Sequence, residues 1–287
     1  MNEFLINWKL KSFIYKILFF FKAHNILFFI QKKITKRANI EIFTIDNSWK
    51  YHLKNLQYYD SKQILEFGAG KSLEQNIFLN YNFNNKLHQT VIDESNMLDI
   101  GLFNEASSQI SKIIKIQRKS LVHSIEEIEK FYNIKYLAPY DMEKIKKNEM
   151  IFDACISTAT LEHFPLEDLE KAFKNLKKII KKNGIISSII DYSDHYSHTD
   201  DKINSLNFLQ YDKNTWKRYN TPYMFQNRLR HQDYRDFFLK MNYEIVEENQ
   251  GEIGKPPKIV SNEFDANNKE TYILWGQFLL KNSFKNE

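Results

Sequence analysis

The first residues that could do chemistry are an acidic residue and two glycines after a short apolar run, Glu66-x-Gly68-x-Gly70. Glycines behind a buried strand let the backbone turn tightly and approach a ligand closely. A phosphate-binding P-loop would need glycine where this chain has Leu65. A dinucleotide-binding fingerprint would need glycine where it has Leu73. The run therefore favours a third type of nucleotide site, in which an acidic residue stands two positions before the first glycine.

A second concentration of reactive side chains lies in residues 191–201, which hold His195, His198 and four aspartates. Histidine accepts a proton near neutral pH without large pKa tuning, whereas an exposed aspartate is a poor base there. Two histidines with carboxylates are also a ligand set for a divalent transition metal ion. A further acidic and basic pair, Glu162 and His163, lies upstream. Composition alone leaves open whether these histidines act as general bases or bind a metal ion.

Short apolar runs alternate with helical patterns and predict the elements that position these residues. Such alternation favours a parallel, doubly wound sheet, which binds ligands at the carboxyl ends of its strands. Residues 194–230 have little periodicity and are interpreted as an insertion. Strands are predicted at 63–67, 88–93, 134–137, 150–158, 185–192, 243–247 and 271–280, and helices over 72–80, 166–182 and 232–241, the second ending before Asn183-Gly184.

Taken together, these runs resemble the class I S-adenosylmethionine-dependent methyltransferases over about residues 61–192. The matching segments are Ile64–Gly70, Val91–Asp93, Phe152–Ser157 with Leu161–His163, and Asn183–Ile186. The resemblance implies an α/β fold with a Rossmann-like, doubly wound, mostly parallel sheet of seven strands whose last strand is antiparallel. Ser72 stands where this family usually has a third glycine.

A second, narrower resemblance concerns the end of the fifth predicted strand and a segment further downstream. Asp191 to His198, with Asn227-Arg228-Leu229-Arg230, is similar to an uncharacterised bacterial branch of methyltransferases that is often associated with surface-glycan genes. This likeness implies a sugar or glycan precursor as the acceptor of the methyl group.

The family resemblance implies S-adenosylmethionine as the cofactor and assigns five residues to it. Gly68 and Gly70 would let the backbone approach the amino-acid moiety, and Glu66 would orient the loop or reach the ammonium group through water. Asp93, at the end of the second strand, would accept both ribose hydroxyls. Asp141, after the third strand, lies where the family contacts adenine.

The same resemblance places the loops after the fourth and fifth strands at the mouth of the acceptor pocket. We expect His195 to be the base that takes the proton of the acceptor hydroxyl, with His163 as the second candidate. Asp194, His198 and Arg228 are expected to bind the acceptor, Arg228 because a guanidinium can hold an anionic group. No residue is assigned to a metal, and a divalent ion at Asp194, His195 and His198 remains the alternative.

The positive charge of the chain is concentrated at its N-terminus. Residues 1–37 carry eight basic residues and one acidic residue, a net charge of +7, whereas the whole chain has +5 and the remainder therefore −2. This distribution argues against nucleic-acid binding, which favours a basic stripe across a folded face. Lys16 and Lys22 interrupt the apolar stretch of residues 4–30, which argues against a spanning helix. Helices packed on the main domain and peripheral contact with a membrane both remain open.

We interpret residues 1–45 as a basic, apolar N-terminal helical extension and residues 46–283 as a methyltransferase domain with an insertion at about 194–230. The single cysteine excludes an internal disulfide framework and indicates a reducing, cytoplasmic location. The predicted function is O-methylation of a sugar or surface-glycan precursor, with contact at the inner face of the membrane through residues 1–37 as an open alternative. The rival interpretations are a non-catalytic module that docks on a membrane or partner, and a lipid or amine methyltransferase.

Overall fold

A seven-stranded sheet forms the centre of the computed structural model, which describes residues 7–21, 23, 40–140 and 151–283. Its order is β3-β2-β1-β4-β5-β7-β6, and β7 runs antiparallel to both of its neighbours while β1 to β5 are parallel. This topology confirms the predicted Rossmann-like α/β fold with an antiparallel last strand. The strands are β1 Gln63–Phe67, β2 His88–Ile92, β3 Ile134–Leu137, β4 Phe152–Thr158, β5 Ile180–Asp191, β6 Glu244–Gln250 and β7 Trp275–Lys281.

Helices cover both faces of the sheet. Helices α2 to α5 contribute to the hydrophobic core on one face, and α6 and α8 to the core on the other. In α6, the buried Leu169, Phe173 and Leu176 recur at helical spacing and form the stripe that packs on the sheet. The described helices are α1 Trp8–Phe20, α2 Asn47–Tyr58, α3 Glu74–Asn82, α4 Ile100–Ile113, α5 Ile125–Tyr132, α6 Leu166–Ile179, α7 Lys213–Trp216 and α8 His231–Lys240.

The boundary between α6 and β5 differs from the prediction. The helix ends at Ile179, and β5 begins at Ile180, so Asn183-Gly184 lies inside the strand and does not terminate the helix. The Asn183 N–H donates to the Asn282 carbonyl at 3.0 Å, which extends the pairing of β5 towards the end of β7. Pairing with neighbouring strands therefore overrides a local stop signal, because it satisfies backbone groups that a frayed helix end would leave to water.

The insertion has a hydrophobic cluster of its own, and α1 belongs to that cluster. Trp8 of α1 is 4% exposed and packs against Tyr196, Trp216 and Tyr219. Its backbone N–H donates to Asp200 Oδ2 at 2.9 Å. The predicted N-terminal helix thus packs on the insertion, which consists of short helical turns and loops. The domain boundary after residue 45 stays a prediction. Residues 24–39 lie outside the described part of the chain.

Within the described ranges, none of the helices combines the length and the apolar character that crossing a membrane requires.

Candidate active site

The two glycines of the loop after β1 adopt the left-handed conformation for which glycine is best suited. Gly68 has φ +77° and Gly70 has φ +76°. A Cβ atom at Gly68 would overlap with Thr160 Cγ2 and lie 2.7 Å from its Oγ1, whereas a Cβ atom at Gly70 would meet no atom within 4 Å. Space and backbone conformation therefore both require glycine at 68, while Gly70 borders an open volume in which a ligand can approach the backbone.

Glu66 joins the strand before this loop to the helix after it. Its side chain is 2% exposed, and its two oxygens accept hydrogen bonds from Gln75 Nε2 at 2.8 Å and Asn76 Nδ2 at 2.6 Å, both in α3. Burial raises the pKa of Glu66 to about 8. Of the two roles expected for Glu66, this geometry corresponds to orienting the loop.

A chain of buried polar groups extends from Glu66 beneath the loop. Gln75 Oε1 accepts from Thr158 Oγ1 at 2.9 Å, and Thr158 Oγ1 lies 2.9 Å from His52 Nε2. The other ring nitrogen of His52 lies 2.8 Å from Ser187 Oγ in β5. Burial lowers the pKa of His52 to about 3, so its ring is neutral and can donate on one side and accept on the other. Sequence reasoning missed this chain; its signal was hydroxyl side chains in the fourth and fifth predicted strands.

Asp93 follows β2 at the same edge of the sheet. Its side chain is 4% exposed, and among the described residues no donor lies within hydrogen-bonding distance of its Oδ2. Burial raises the pKa of Asp93 to about 6, although the Tyr136 hydroxyl and the Gly68 N–H oppose this shift. A buried acceptor without a donor is costly, and a ribose hydroxyl would satisfy it. Asp141, the expected adenine contact, lies outside the described residues.

Glu162 lies in the helical turn Leu161–His163 after β4, and sequence reasoning gave it no role of its own. Its side chain is 3% exposed, and neither carboxylate oxygen makes a hydrogen bond of normal geometry in the described part of the chain. Burial raises the pKa of Glu162 well above its ordinary value. The available signal was a Glu-His pair directly after a buried strand.

Two histidines face this carboxyl group. His195 Nε2 lies 3.9 Å from Glu162 Oε1 and 3.2 Å from Asp191 Oδ2. The His163 ring centroid is 4.9 Å from that of His195. His163 Nδ1 lies 2.7 Å from the Phe225 carbonyl, which can only accept, so Nδ1 carries the proton and Nε2 has a free lone pair. The structure therefore brings together the two residues predicted to be catalytic, although 32 positions separate them.

Asp194 and Arg228, which were expected to bind the acceptor, make hydrogen bonds to other residues of the chain instead. Asp194 is fully buried and accepts from the Tyr196 N–H and Asn207 Nδ2, both at 2.9 Å. The guanidinium of Arg228 donates to the Tyr211 carbonyl at 2.6 Å and to Glu263 Oε2 at 3.1 Å. These contacts fix the loops of the insertion and occupy the polar atoms that an acceptor would need.

His198 stacks on His195 with ring centroids 5.1 Å apart, and its Nε2 lies 3.2 Å from Ser193 Oγ. It thus stays beside the predicted base. The metal-ligand set considered from sequence, with Asp194 and His198, does not assemble among the described residues. The set that does assemble there is Glu162, His163 and His195, whose potential ligating atoms all lie within 4.8 Å of one another.

A family model described as a methyltransferase domain matches residues 116–188. The matched segment is about a quarter of the chain and contains β3, β4, α6 and most of β5, so it includes Glu162 and His163 but begins after the glycine loop. This match identifies a methyltransferase domain in that part of the chain. None of the curated protein sequences matches the chain.

Solved structures similar to this chain include several described as S-adenosylmethionine-dependent methyltransferases. One from Methanosarcina mazei has 12% identity and a TM-score of 0.49, and the match covers 80% of this chain and 98% of that one. One from Clostridium acetobutylicum has 13% identity and a TM-score of 0.46, and the match covers 91% of this chain and 100% of that one. The match to the methyltransferase SibL has 12% identity and a TM-score of 0.46, and it covers 83% of this chain and 55% of SibL.

Proposed function

We propose that this chain is a methyltransferase that transfers the methyl group of S-adenosylmethionine to a hydroxyl oxygen of a sugar or surface-glycan precursor. The observation that carries the proposal is the cluster of Glu162, His163, His195 and Asp191 at the carboxyl edge of β4 and β5. A hydroxyl group loses its proton reluctantly, so a site that methylates oxygen benefits from basic groups at the acceptor. The sugar as acceptor is supported by the resemblance of residues 191–198 and 227–230 to the glycan-associated branch.

The cofactor would lie across the ends of β1 and β2. Gly68 and Gly70 allow the backbone to approach its amino-acid moiety, and Glu66 holds the loop in place through α3. The unpaired Oδ2 of Asp93 would accept from the ribose. Asp141 would contact adenine from the loop after β3. The sulfonium would then face the loop after β4, which contacts the glycine loop through Thr160 and Gly68.

The acceptor would lie against His195 and His163, which we assign as the catalytic residues. S-adenosylmethionine would supply an electrophilic methyl group for a single displacement, and the cluster would orient the acceptor oxygen towards it and take up the hydroxyl proton. Alignment of the oxygen with the methyl group can supply about 7–11 kcal/mol of the barrier. His198 stacks on His195 and would line the same side of the pocket.

A peripheral membrane location is part of this proposal, because the outer face of α1 is apolar. Its exposed residues recur at helical spacing, while the opposite face packs on the insertion. Residues 1–37 carry a net charge of +7, which attracts anionic lipid. The enzyme would then work at the cytoplasmic face of a membrane. The exposed apolar residues of α1 are Leu10, Phe13, Ile17, Phe19 and Phe20, and Phe21 directly after the helix is exposed too.

The test is transfer of a labelled methyl group from S-adenosylmethionine to small molecules and glycan precursors of a cell extract, with calorimetry of cofactor binding alongside. Label in a product that resists base, as an ether does, supports O-methylation of a sugar. Label in an amine or lipid product would contradict the sugar as acceptor and identify an amine or a lipid in its place. Saturable cofactor binding without any labelled product would favour a non-catalytic module.

A further inference from the structure

Three side chains with the donor atoms of a metal site meet where β4 and β5 end. They are Glu162 and His163 in the turn after β4, and His195 in the loop after β5. Their ligating atoms lie within 4.8 Å of one another. We infer that Glu162, His163 and His195 bind a divalent transition metal ion, and that this ion holds and activates the acceptor hydroxyl.

The carboxyl group of Glu162 is the independent sign of a missing ligand. It is buried, and neither of its oxygens makes a hydrogen bond of normal geometry with a described residue, although the backbone N–H groups of Glu162 and Asp191 favour its charged form. A buried polar group without a partner costs roughly 1–3 kcal/mol, and more when it is charged. A bound cation would use this carboxylate and remove that cost.

The hydrogen bond made by His163 favours binding of a metal ion through its other ring nitrogen. A metal-binding histidine commonly donates its second ring N–H to a backbone carbonyl or a carboxylate, which fixes the ring and its tautomer. His163 Nδ1 makes this contact with the Phe225 carbonyl at 2.7 Å and leaves Nε2 available. Asp191 Oδ2 lies 3.2 Å from His195 Nε2, the same nitrogen that faces Glu162 Oε1 at 3.9 Å, so Asp191 would lie beside the ion and does not hold the second ring nitrogen of His195.

The donor set indicates the class of ion. Two imidazole nitrogens and one carboxylate suit manganese, iron, cobalt or zinc, whereas magnesium and calcium prefer oxygen ligands throughout. Ligands bound at about 2.1 Å lie roughly 3–3.5 Å apart, so the three side chains would close by about 1.5 Å around an ion. Three protein ligands leave coordination positions open, and two adjacent hydroxyls of a sugar can occupy them.

A metal at this point changes how the hydroxyl loses its proton. A bound divalent ion lowers the pKa of a coordinated water to about 7 in favourable sites, and it acts on a coordinated alcohol in the same direction. The hydroxyl proton then passes to the Asp191 carboxylate, the oxygen attacks the methyl carbon, and the thioether leaves as the carbon–sulfur bond breaks. His195 would serve the reaction as a ligand of the ion. This reaction step rests on the proposed function, while ion binding itself does not.

The experiment measures Mn²⁺ binding to the full chain after treatment with a chelator, by calorimetry and by the loss of the free-ion signal in electron paramagnetic resonance. We expect one saturable site whose affinity falls at least tenfold in Glu162→Gln and in His163→Ala. Glu162→Gln is nearly isosteric and preserves packing, and circular dichroism verifies the fold of each variant. His198→Ala should bind Mn²⁺ as the wild type does, because His198 lies outside the ligand set.

Absence of saturable Mn²⁺ binding by the folded protein would overturn the inference, and so would equal affinity in Glu162→Gln. Loss of binding in His198→Ala but not in Glu162→Gln would assign the ion to the other face of His195 and likewise overturn it. Cofactor binding and product analysis separate this result from the proposed function. Sugar methylation at full rate in the presence of a chelator would contradict the metal site and support the proposed function. Mn²⁺ binding without any methylated sugar would support the metal site and contradict the proposed function.

Discussion

Substituting Gly68 with alanine tests the contact between the glycine loop and the loop after β4. At φ +77° a residue with a Cβ atom costs about 1–2 kcal/mol relative to glycine. The added Cβ would also overlap with Thr160, and such overpacking costs typically 1–3 kcal/mol. Gly68→Ala should therefore lower the free energy of unfolding by about 2–5 kcal/mol.

Gly70 provides a matched control in the same loop. Its φ is +76°, but a Cβ atom there would meet nothing within 4 Å, so Gly70→Ala should cost only the backbone contribution of about 1–2 kcal/mol. Urea denaturation of both variants measures the difference. In a Thr160→Ala background the overlapping Cγ2 and Oγ1 atoms are gone, and the cost of Gly68→Ala should approach that of Gly70→Ala. The coupling energy of this double-mutant cycle is expected at about 1–3 kcal/mol.

Equal costs for the two glycine variants would refute the reasoning, because the backbone contribution would then account for the whole effect. An unchanged cost of Gly68→Ala in the Thr160→Ala background would refute it independently. Calorimetry with S-adenosylmethionine adds a functional readout, in which the bulkier Gly68→Val should bind the cofactor much more weakly than the wild type.

The remaining predictions concern the cofactor, the acceptor and the membrane. Asp93→Ala should bind S-adenosylmethionine much more weakly than the wild type. The affinity of the wild type should fall as the pH drops through about 6, because the raised pKa of Asp93 means that its accepting carboxylate is protonated below that value. A calorimetric affinity independent of pH from 5 to 8 would contradict this. His195→Ala should lower turnover roughly 10²-fold or more with cofactor affinity nearly unchanged, and His163→Ala should cost less unless both are metal ligands. The double change Phe13→Glu and Phe20→Glu should abolish salt-sensitive co-sedimentation with anionic vesicles and leave stability intact, because both side chains are exposed; unchanged sedimentation would mean that this face of α1 does not contact lipid.

Local patterns predicted much of the scaffold because strands and tight turns depend on neighbouring residues. The run before Gly68 is buried on both sides of the sheet, and its apolar side chains predicted β1 within its observed bounds. The two glycines predicted a tight turn, and both adopt positive φ angles in the structure. The end of α6 was misplaced by three residues, since the local stop at Asn183-Gly184 could not reveal that β4 pairs with residues on either side of it and that Asn282, just after β7, is hydrogen-bonded to it.

Roles that depend on contacts between distant segments needed the tertiary structure. Glu66 was recognised from its distance to Gly68, but only the packing of α3 shows that Gln75 and Asn76 occupy its oxygens. Asp194 was expected to bind the acceptor beside His195, yet the fold of the insertion buries it against Asn207.

By itself, the sequence determined the sheet, the glycine loop and the presence of reactive side chains behind two strands. Only the tertiary structure decided which of those side chains meet. Glu162 and His195 are 33 positions apart, and they come within 3.9 Å because β4 and β5 are adjacent parallel strands whose carboxyl ends share one edge. Periodicity shows which side chains a strand buries, whereas strand order and loop packing set the distances between side chains of different strands, and those distances determine the chemistry.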